Sequence, residues 1–437
     1  MPATNSPLAK LMNNDKLQHA GYLAVAKTRA KALKVFSHLI PLPRPLLFVG
    51  EDACNELCDM VINEGGTNVF IVTDAVLNKL GIPAKVTDYL DQHNIRYQVY
   101  DGITPDPTFA VVEEGLSQTV NAKCDAIIAI GGGSVIDAAK MIAMSQGNNC
   151  KPQKLIGILK ARKKGVPLYC IPTTAGTGSE ATLGAVVSDN DTHQKALSID
   201  PKMIPLAAAI DPVIMKGMPK HITADTGIDV LTHALEAWMS ANASVETDYY
   251  AASATKAVMQ YLPIAYENGE DLQAREEMGI AAHYGGIAFN KAGLGYVHAI
   301  AHQLGAHYSI PHGRANAIVL PYVLEVNRKG SEKRLAKLAR KTGIVESAQA
   351  TKTDKELANY FIEQVRELIE TVGIDPTVKG MKKTDYDDIA KAAAKEVSDT
   401  YAVPTYMSPA GIKMILQKIQ TASEDRPNNA TQDKKSA

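Results

Sequence analysis

A chain of 437 residues exceeds the usual size of one hydrophobic core, so two domains are expected. Hydrophobic residues make up 46% and charged residues 21%, the balance of an ordinary soluble globular protein. A net charge of −1 with no long basic block leaves no electrostatic footprint for nucleic acid or an anionic membrane. No run approaches the roughly 18–20 apolar residues that span a bilayer, so no membrane partner is expected.

The N-terminus, MPATNSPLAKLMNNDKL, lacks the charged-then-apolar layout of a signal peptide. KTRAKALKVFSHLI (27–40) is basic and amphipathic, but it starts too late for an organelle presequence and reads as an N-terminal helix. Residues 1–40 are therefore set apart as an extension. The five cysteines are scattered, with no C-x-x-C spacing, which suits a reducing compartment and a cytoplasmic location.

From 41 to 215 the pattern alternates. PLLFVG, NVFIVTD, YQVYDG, CDAIIAIGGG and VPLYCIPTT are short apolar runs ending in Gly, Asp or Thr. Between them lie helical-period stretches such as DACNELCDMVINEG, PAKVTDYLDQHN and PTFAVVEEGLSQTVNA. Such alternation predicts a parallel, Rossmann-like sheet covered by helices, and runs such as AIIAI fit strands buried on both faces. From 216 to 420 the strand signals fade. TGIDVLTHALEAWMS, VETDYYAASATKAVMQYL, REEMGIAAHYGGIAFNK, EKRLAKLARKTG, TDKELANYFIEQVRELIETVG and DDIAKAAAKEV all read as helices, so the second domain is expected to be all-α. The tail from 421 to 437 is polar and expected to be disordered.

CDAIIAIGGGSVIDAAKMIAM reads as strand, glycine turn and helix. Free backbone N–H groups at such a turn form an anion site, because the first helical turn has spare donors and the dipole favours negative charge. The stretch is not the G-x-G-x-x-G fingerprint, since Ile136 occupies the third glycine position, nor is it a P-loop. Asp74 ends NVFIVTD, where a carboxylate can hold a ribose hydroxyl pair and repel a 2′-phosphate. IPTTAGTGSEAT (171–182) is a third strand end, rich in hydroxyls and glycines, suited to phosphates or a nicotinamide ribose. Each element alone is an ordinary turn; three at strand C-termini point to a dinucleotide.

The stretch GLGYVHAIAHQLGAHYSIPHG holds His298, His302, His307 and His312, four of the eleven histidines. Positions i and i+4 share a helix face, a common way to aim two ligands at one ion. His298 and His302 have that spacing, as do Asp229 and His233 in GIDVLTHALEA. His307 lies nine residues after His298 and faces away on a continuous helix. Pro311 ends or restarts the helix and can turn His312 back. A single helical histidine is ordinarily a core or surface residue, but this joint pattern is not ordinary. Spacing gives a ligand set of Asp229, His233, His312 and one or both of His298 and His302. Nitrogen and carboxylate donors without thiolate suit Fe(II) or Zn(II).

The chain resembles the iron-containing (group III) alcohol dehydrogenases over roughly residues 40–420. The blocks that carry the resemblance are IVTD, YDGITPDPT, AIIAIGGGSVIDAAK, PLYCIPTTAGTGSE, DPKMIPLAAAIDP, TADTGIDVLTHALEAW and GLGYVHAIAHQLGAHYSIPHGRANAIVLP, in the family's order. The resemblance implies the dehydroquinate synthase-like pairing of an α/β domain with a helical one. It implies that Asp229, His233, His298 and His312 bind the metal and that His302 faces the site without ligating. It also implies that Gly132, Gly133, Ser134, Thr173, Thr174 and Thr177 line the phosphates and nicotinamide ribose of the cofactor. Asp137 and Gly178, in the same two loops, are counted with them, and Lys195 is expected close by. Family members that prefer NAD carry aspartate at the position of Asp74. The extension at 1–40 departs from compact members. With no aldehyde dehydrogenase stretch ahead of these blocks, the bifunctional fused form is not expected.

The expected reaction is reversible hydride transfer between a small alcohol, a short primary alcohol or diol, and NAD, giving an aldehyde or ketone. The metal acts as a Lewis acid that lowers the hydroxyl pKa, and His302, one turn from His298, relays the proton. Cofactor and metal are expected to meet in a cleft between the domains. A homodimer or higher homo-oligomer is expected. Two rivals share these features: a lyase resembling 3-dehydroquinate synthase, which uses NAD transiently, and a metal-assisted hydrolase with a structural nucleotide.

Overall fold

The computed structural model describes residue 28 and residues 42–191, 194–345 and 351–424. The expectations for the N-terminal extension, Thr28 apart, and for the tail beyond Glu424 lie outside these residues.

The first half alternates strands and helices: β1 (Leu46–Val49), α1 (Ala53–Asn63), β2 (Asn68–Asp74), α2 (Ala75–Lys79), α3 (Ala84–Gln92), β3 (Arg96–Ile103), α4 (Phe109–Ala122), β4 (Ala126–Gly131) and α5 (Gly133–Asn148). It continues through β5 (Gly157–Ile158), β6 (Leu168–Pro172), β7 (Gly184–Ser188), β8 (Lys195–Ile199), β9 (Ala207–Ile210) and α6 (Pro212–Met215). Six strands form one sheet in the order β1-β9-β6-β4-β2-β3, and every pair in it is parallel. A smaller sheet, β5-β8-β7, holds an antiparallel pair, β7 and β8, that the sequence patterning did not announce.

Period-two alternation explains the sheet's two cores. Val69, Ile71, Ile128 and Ile130 face one side, against Leu57, Val61 and Leu90 of α1 and α3. Phe70, Val72, Ile127 and Ala129 face the other, against Val112 of α4 and Met141 and Ile142 of α5. Strands covered on both faces carry no polar alternation, which is why they read as apolar runs. Strand β9 is less legible because its sequence is AAAI; alanine is a weak strand former, and here burial on both faces overrides propensity.

Beyond the sheet come α7 (Lys220–Met239), α8 (Val245–Glu267), α9 (Leu272–Ala292), α10 (Tyr296–Tyr308), α11 (His312–Thr342), α12 (Asp354–Thr371), α13 (Tyr386–Thr400) and α14 (Pro409–Glu424). The parallel α/β half and the helical half foreseen from the pattern are thus both present. EKRLAKLARKTG is not a separate helix: it is the end of α11, which runs unbroken for 31 residues through Pro321. Helix α12 opens on a capping box, Thr353 with Glu356, and buries Leu357, Phe361, Val365 and Leu368 at helical spacing. Among the described residues no helix is long and apolar enough to cross a membrane.

Two compact units emerge: Ile40–Ala234 with Tyr249–Asn290, holding the sheets, and Leu235–Asp248 with the chain from Lys291, all helical in its regular elements.

Candidate active site

In the sheet-bearing unit, β4 and β6 are parallel neighbours, so the loops leaving their C-termini lie side by side. The first loop is Gly131-Gly132-Gly133 entering α5; Gly132 is the N-cap residue and has no side chain to satisfy the first-turn N–H groups. The second is the Thr173–Thr177 loop, tied back by the Thr173 N–H donating to the Gly131 carbonyl at 3.1 Å. A Cβ on Gly133 would stand 2.7 Å from Thr177 Cγ2, and one on Gly132 would stand 3.3 Å from Thr174 Oγ1. The threonine loop packing over them therefore leaves no room for a side chain at Gly133 and little at Gly132. Ser134 begins α5 at its partly open end. Gly178 is held at φ +60, with its α-carbon against α9: a Cβ there would meet the Ala282 carbonyl at 2.5 Å.

Asp137 faces inward. One oxygen accepts from Ser179 Oγ at 2.5 Å and the other from the Val186 N–H at 2.9 Å. Burial pushes its carboxyl up, opposed chiefly by Lys140. Lys140, one turn on, was missed by the sequence reading. Its buried ammonium lies near the Ser179 carbonyl (2.7 Å), Ser179 Oγ (3.0 Å), Thr182 Oγ1 (2.9 Å) and the Gly184 carbonyl (2.7 Å). Burial pulls its pKa down and Asp137 opposes that. The i, i+3 Asp/Lys spacing in GGGSVIDAAK was the available signal. The pair fixes the turn that follows the threonine loop.

Asp74 ends β2, which neighbours β4, and its Oδ1 accepts from the Val76 and Leu77 N–H groups, both at 2.9 Å. It thus caps α2 as well as standing at a strand end. Lys195, at the start of β8, is paired with Asp106 at 3.0 Å on the exposed surface.

The histidines and Asp229 form the second constellation. On α7, His233 Nε2 lies 3.9 Å from Asp229 Oδ1, both buried, and the imidazole stacks on Phe289 at 4.4 Å. Helix α10 ends at Tyr308, followed by Ser309 at φ 53; Pro311 is then the N-cap of α11, which starts at His312. That restart brings the His312 ring to 5.3 Å from the His298 ring. One ligand-type atom from each of Asp229, His233, His298 and His312 lies within 4.8 Å of the others. The described side chains that meet this test do not include His302. His307 is exposed, its Nδ1 2.9 Å from the Gln303 carbonyl.

The donor set fits a divalent ion on its own chemistry. Asn316 Nδ2 lies 3.3 Å from both His298 Nε2 and His312 Nε2. An amide NH2 between two ring nitrogens is satisfied when each presents a lone pair, the form that also binds a metal. His298 Nδ1 lies 2.7 Å from Glu236, an acceptor only, which puts the proton on Nδ1 and the lone pair on Nε2.

His302 sits differently. Its Nδ1 is 2.8 Å from Glu396 Oε1, which also accepts from the Tyr401 hydroxyl at 3.0 Å. Burial and the Glu396 charge push the Tyr401 hydroxyl well above the usual phenol range, so it stays a donor. The His302 ring stacks on the His312 ring at 5.4 Å and 20°. His302 and Glu396 are both partly open to solvent, at 32% and 23%.

The sequence reading missed Glu236, Asn316, Glu396 and Tyr401. Glu236 and Asn316 had a signal, standing one helical turn after His233 and His312. Glu396 is one acid among many on an amphipathic helix, and nothing local distinguishes it.

Residues 45–212 match the profile described as iron-containing alcohol dehydrogenase, and residues 223–422 match the Fe-containing alcohol dehydrogenase family, C-terminal. The chain belongs to the iron-containing alcohol dehydrogenase family. It is 38% identical over 352 residues to lactaldehyde reductase of Escherichia coli (strain K12), covering 80% of this chain and 91% of that one. A crystal structure of 1,3-propanediol oxidoreductase superposes with a TM-score of 0.83 at 32% identity, covering 87% of this chain and all of that one. Sulfoacetaldehyde reductase from Bifidobacterium kashiwanohense, solved in complex with NAD+, gives a TM-score of 0.79 at 25% identity, over 88% of this chain and 99% of that one.

Removing Lys140 leaves Asp137 without its counter-charge and four loop acceptors without their shared donor. Lys140→Met is expected to cost about 3–5 kcal/mol of stability and to weaken NAD binding. A urea unfolding midpoint and a titration with NAD, both unchanged, would show the ammonium to be dispensable.

Proposed function

We propose that this chain is a metal-dependent alcohol dehydrogenase that moves a hydride reversibly between a small alcohol, a short primary alcohol or a diol, and NAD. The observation that carries this reading is the set of three imidazoles and one carboxylate within 4.8 Å of one another. In it Asp229, His233, His298 and His312 hold Fe(II), with Zn(II) as the alternative the same donors accept. The helical segment 216–420 carries this centre, and the α/β segment 41–215 carries the dinucleotide. Gly132, Gly133, Ser134, Thr173, Thr174 and Thr177 line the phosphates and nicotinamide ribose, Asp137 and Gly178 shape the loop, and Lys195 lies at its margin. Asp74 takes the ribose hydroxyls with the oxygen it does not use for capping.

A bound divalent ion supplies Lewis acidity that lowers the pKa of an alcohol hydroxyl. The chain's own part is the proton. Oxidation removes a hydride, which reduces NAD, and a proton, which must leave the hydroxyl oxygen. His302 takes that proton on Nε2, because Glu396 holds its Nδ1–H and Tyr401 holds Glu396. Partial exposure of His302 and Glu396 supports onward transfer to water.

The diol class is supported by the two relatives named for lactaldehyde and 1,3-propanediol. NAD as cofactor is supported by Asp74 and by the NAD+ complex of the third. A cytoplasmic location is supported by five cysteines in no disulfide. A homo-oligomer is supported by exposed apolar side chains such as Val245 and Tyr249.

Metal analysis of anaerobically prepared protein, then initial rates with NAD and NADP over straight-chain alcohols and 1,2-diols, tests the reading. Steady NADH accumulation is expected; a lyase would return its NADH within each turnover, and a hydrolase would act without added NAD. His298→Ala and His312→Ala should each lose metal and rate, and normal content and rate in both would refute the ligand set. Asp74→Gly should raise relative use of NADP, so an unchanged preference would remove Asp74 from its role. Glu396→Gln should lower kcat on the order of tenfold or more while metal content and NAD binding stay normal; a normal kcat would exclude the relay.

A further inference from the structure

Helix α7 carries a third side chain on the face that holds Asp229 and His233. Glu236 follows them at i+7 and i+3 and is almost fully buried, at 4% exposure. Both of its oxygens are committed. Oε2 lies 2.7 Å from His298 Nδ1 and accepts from the Gly295 N–H at 2.8 Å, while Oε1 accepts from the Val297 N–H at 2.7 Å. Gly295 is the N-cap residue of α10 and offers no side chain to it. The Glu236 carboxylate therefore does the capping, placed where the helix dipole favours negative charge. A Cβ on Gly295 would stand 2.8 Å from Glu236 Oε1, so the glycine is the residue that admits the carboxylate.

We infer that Glu236 is the positioning residue of the metal centre, locking His298 in its Nδ1–H tautomer and fixing the first turn of α10 with the same carboxylate. This rests on the reading of His298 as a metal ligand. A buried carboxylate can only accept, so the ring must donate from Nδ1 and keep its lone pair on Nε2. The alternative tautomer would place a proton where a metal ligand needs a bare nitrogen. The two backbone N–H groups neutralise part of the carboxylate's charge and hold it still, which makes the ring's orientation rigid rather than averaged.

Glu236→Gln keeps the shape but replaces one acceptor oxygen with a donor. The Gln NH2 then faces either the Val297 N–H, or the Gly295 N–H and the His298 ring together, and in the second case it selects the tautomer that cannot ligate. The experiment titrates metal-free wild type, Glu236→Gln and His298→Ala with Zn(II) against a competing chelator. It also records the visible spectrum of each after loading with Co(II), with NAD binding measured in parallel. Glu236→Gln should weaken Zn(II) binding about 10- to 100-fold and alter the Co(II) spectrum, with NAD affinity unchanged. Wild-type affinity and spectrum in Glu236→Gln, in a series where His298→Ala loses metal, would overturn the inference and leave the ligand set standing. Wild-type affinity in His298→Ala would overturn the ligand set and this inference together. If Glu236→Gln does not fold, Gly295→Ala decides, since its methyl displaces the same carboxylate: weaker Zn(II) binding upholds the role, and wild-type binding rejects it.

Discussion

An imidazole presents one bare nitrogen, and whatever holds the other nitrogen decides what the bare one is for. The constellation on α7, α10 and α11 is organised by that rule. His298 and His302 stand one turn apart on α10, and each has a carboxylate on Nδ1, Glu236 at 2.7 Å and Glu396 at 2.8 Å. The carboxylates differ in surroundings. Glu236 is buried and bound by two backbone N–H groups, so its histidine is immobile and dry. Glu396 is partly open and takes a single phenolic hydrogen bond, so its histidine keeps access to water. One ring is thereby suited to holding an ion and the other to passing a proton.

The loops leaving β4 and β6 depend on a different constraint, the exclusion of side chains from a tight stack. Gly133 packs on Thr177, Gly178 packs on α9, and neither position has room for a methyl group. Glycine supplies the close approach but no rigidity, since it has the most backbone freedom to lose. Rigidity comes from beneath, where the Lys140 ammonium gathers Ser179, Thr182 and Gly184 into one cluster. Asp137, read from sequence as a cofactor contact, has both oxygens turned into that cluster.

What the sequence made legible follows from how local each signal is. Five of the six strands in the large sheet were visible as short runs, and β2, β4 and β6 are the most apolar of them because they are covered on both faces. The sixth, AAAI at 207–210, depends on its neighbours for its strand character and carries no local mark. Asp229 and His233 were legible through i, i+4 spacing, which is a property of one helix. Spacing alone left His298 and His302 equivalent, and the family resemblance supplied their separation. In the structure they differ by their carboxylate partners, at positions 236 and 396. Glu396 and Tyr401 lie about a hundred residues from the histidine they hold, and tertiary partnerships at that distance leave no pattern in a single chain.

The economy of α7 explains why the pattern there is so dense. A helix is the stiffest short element available, and residues at i, i+4 and i+7 lie along one face within two turns. Asp229 and His233 project from that face, and Glu236 reaches across to hold His298 by its ring and by the backbone turn that carries it. Asp229, His233 and His298 thus take their orientation from a single rigid element. His312 is set by the break at Ser309 to Pro311, which aims the first turn of α11 back at His298. Precision in such a cluster is limited by its softest link, and here that link is one short turn. Asn316, one helical turn beyond His312 and within 3.3 Å of both rings, spans that turn from the other side.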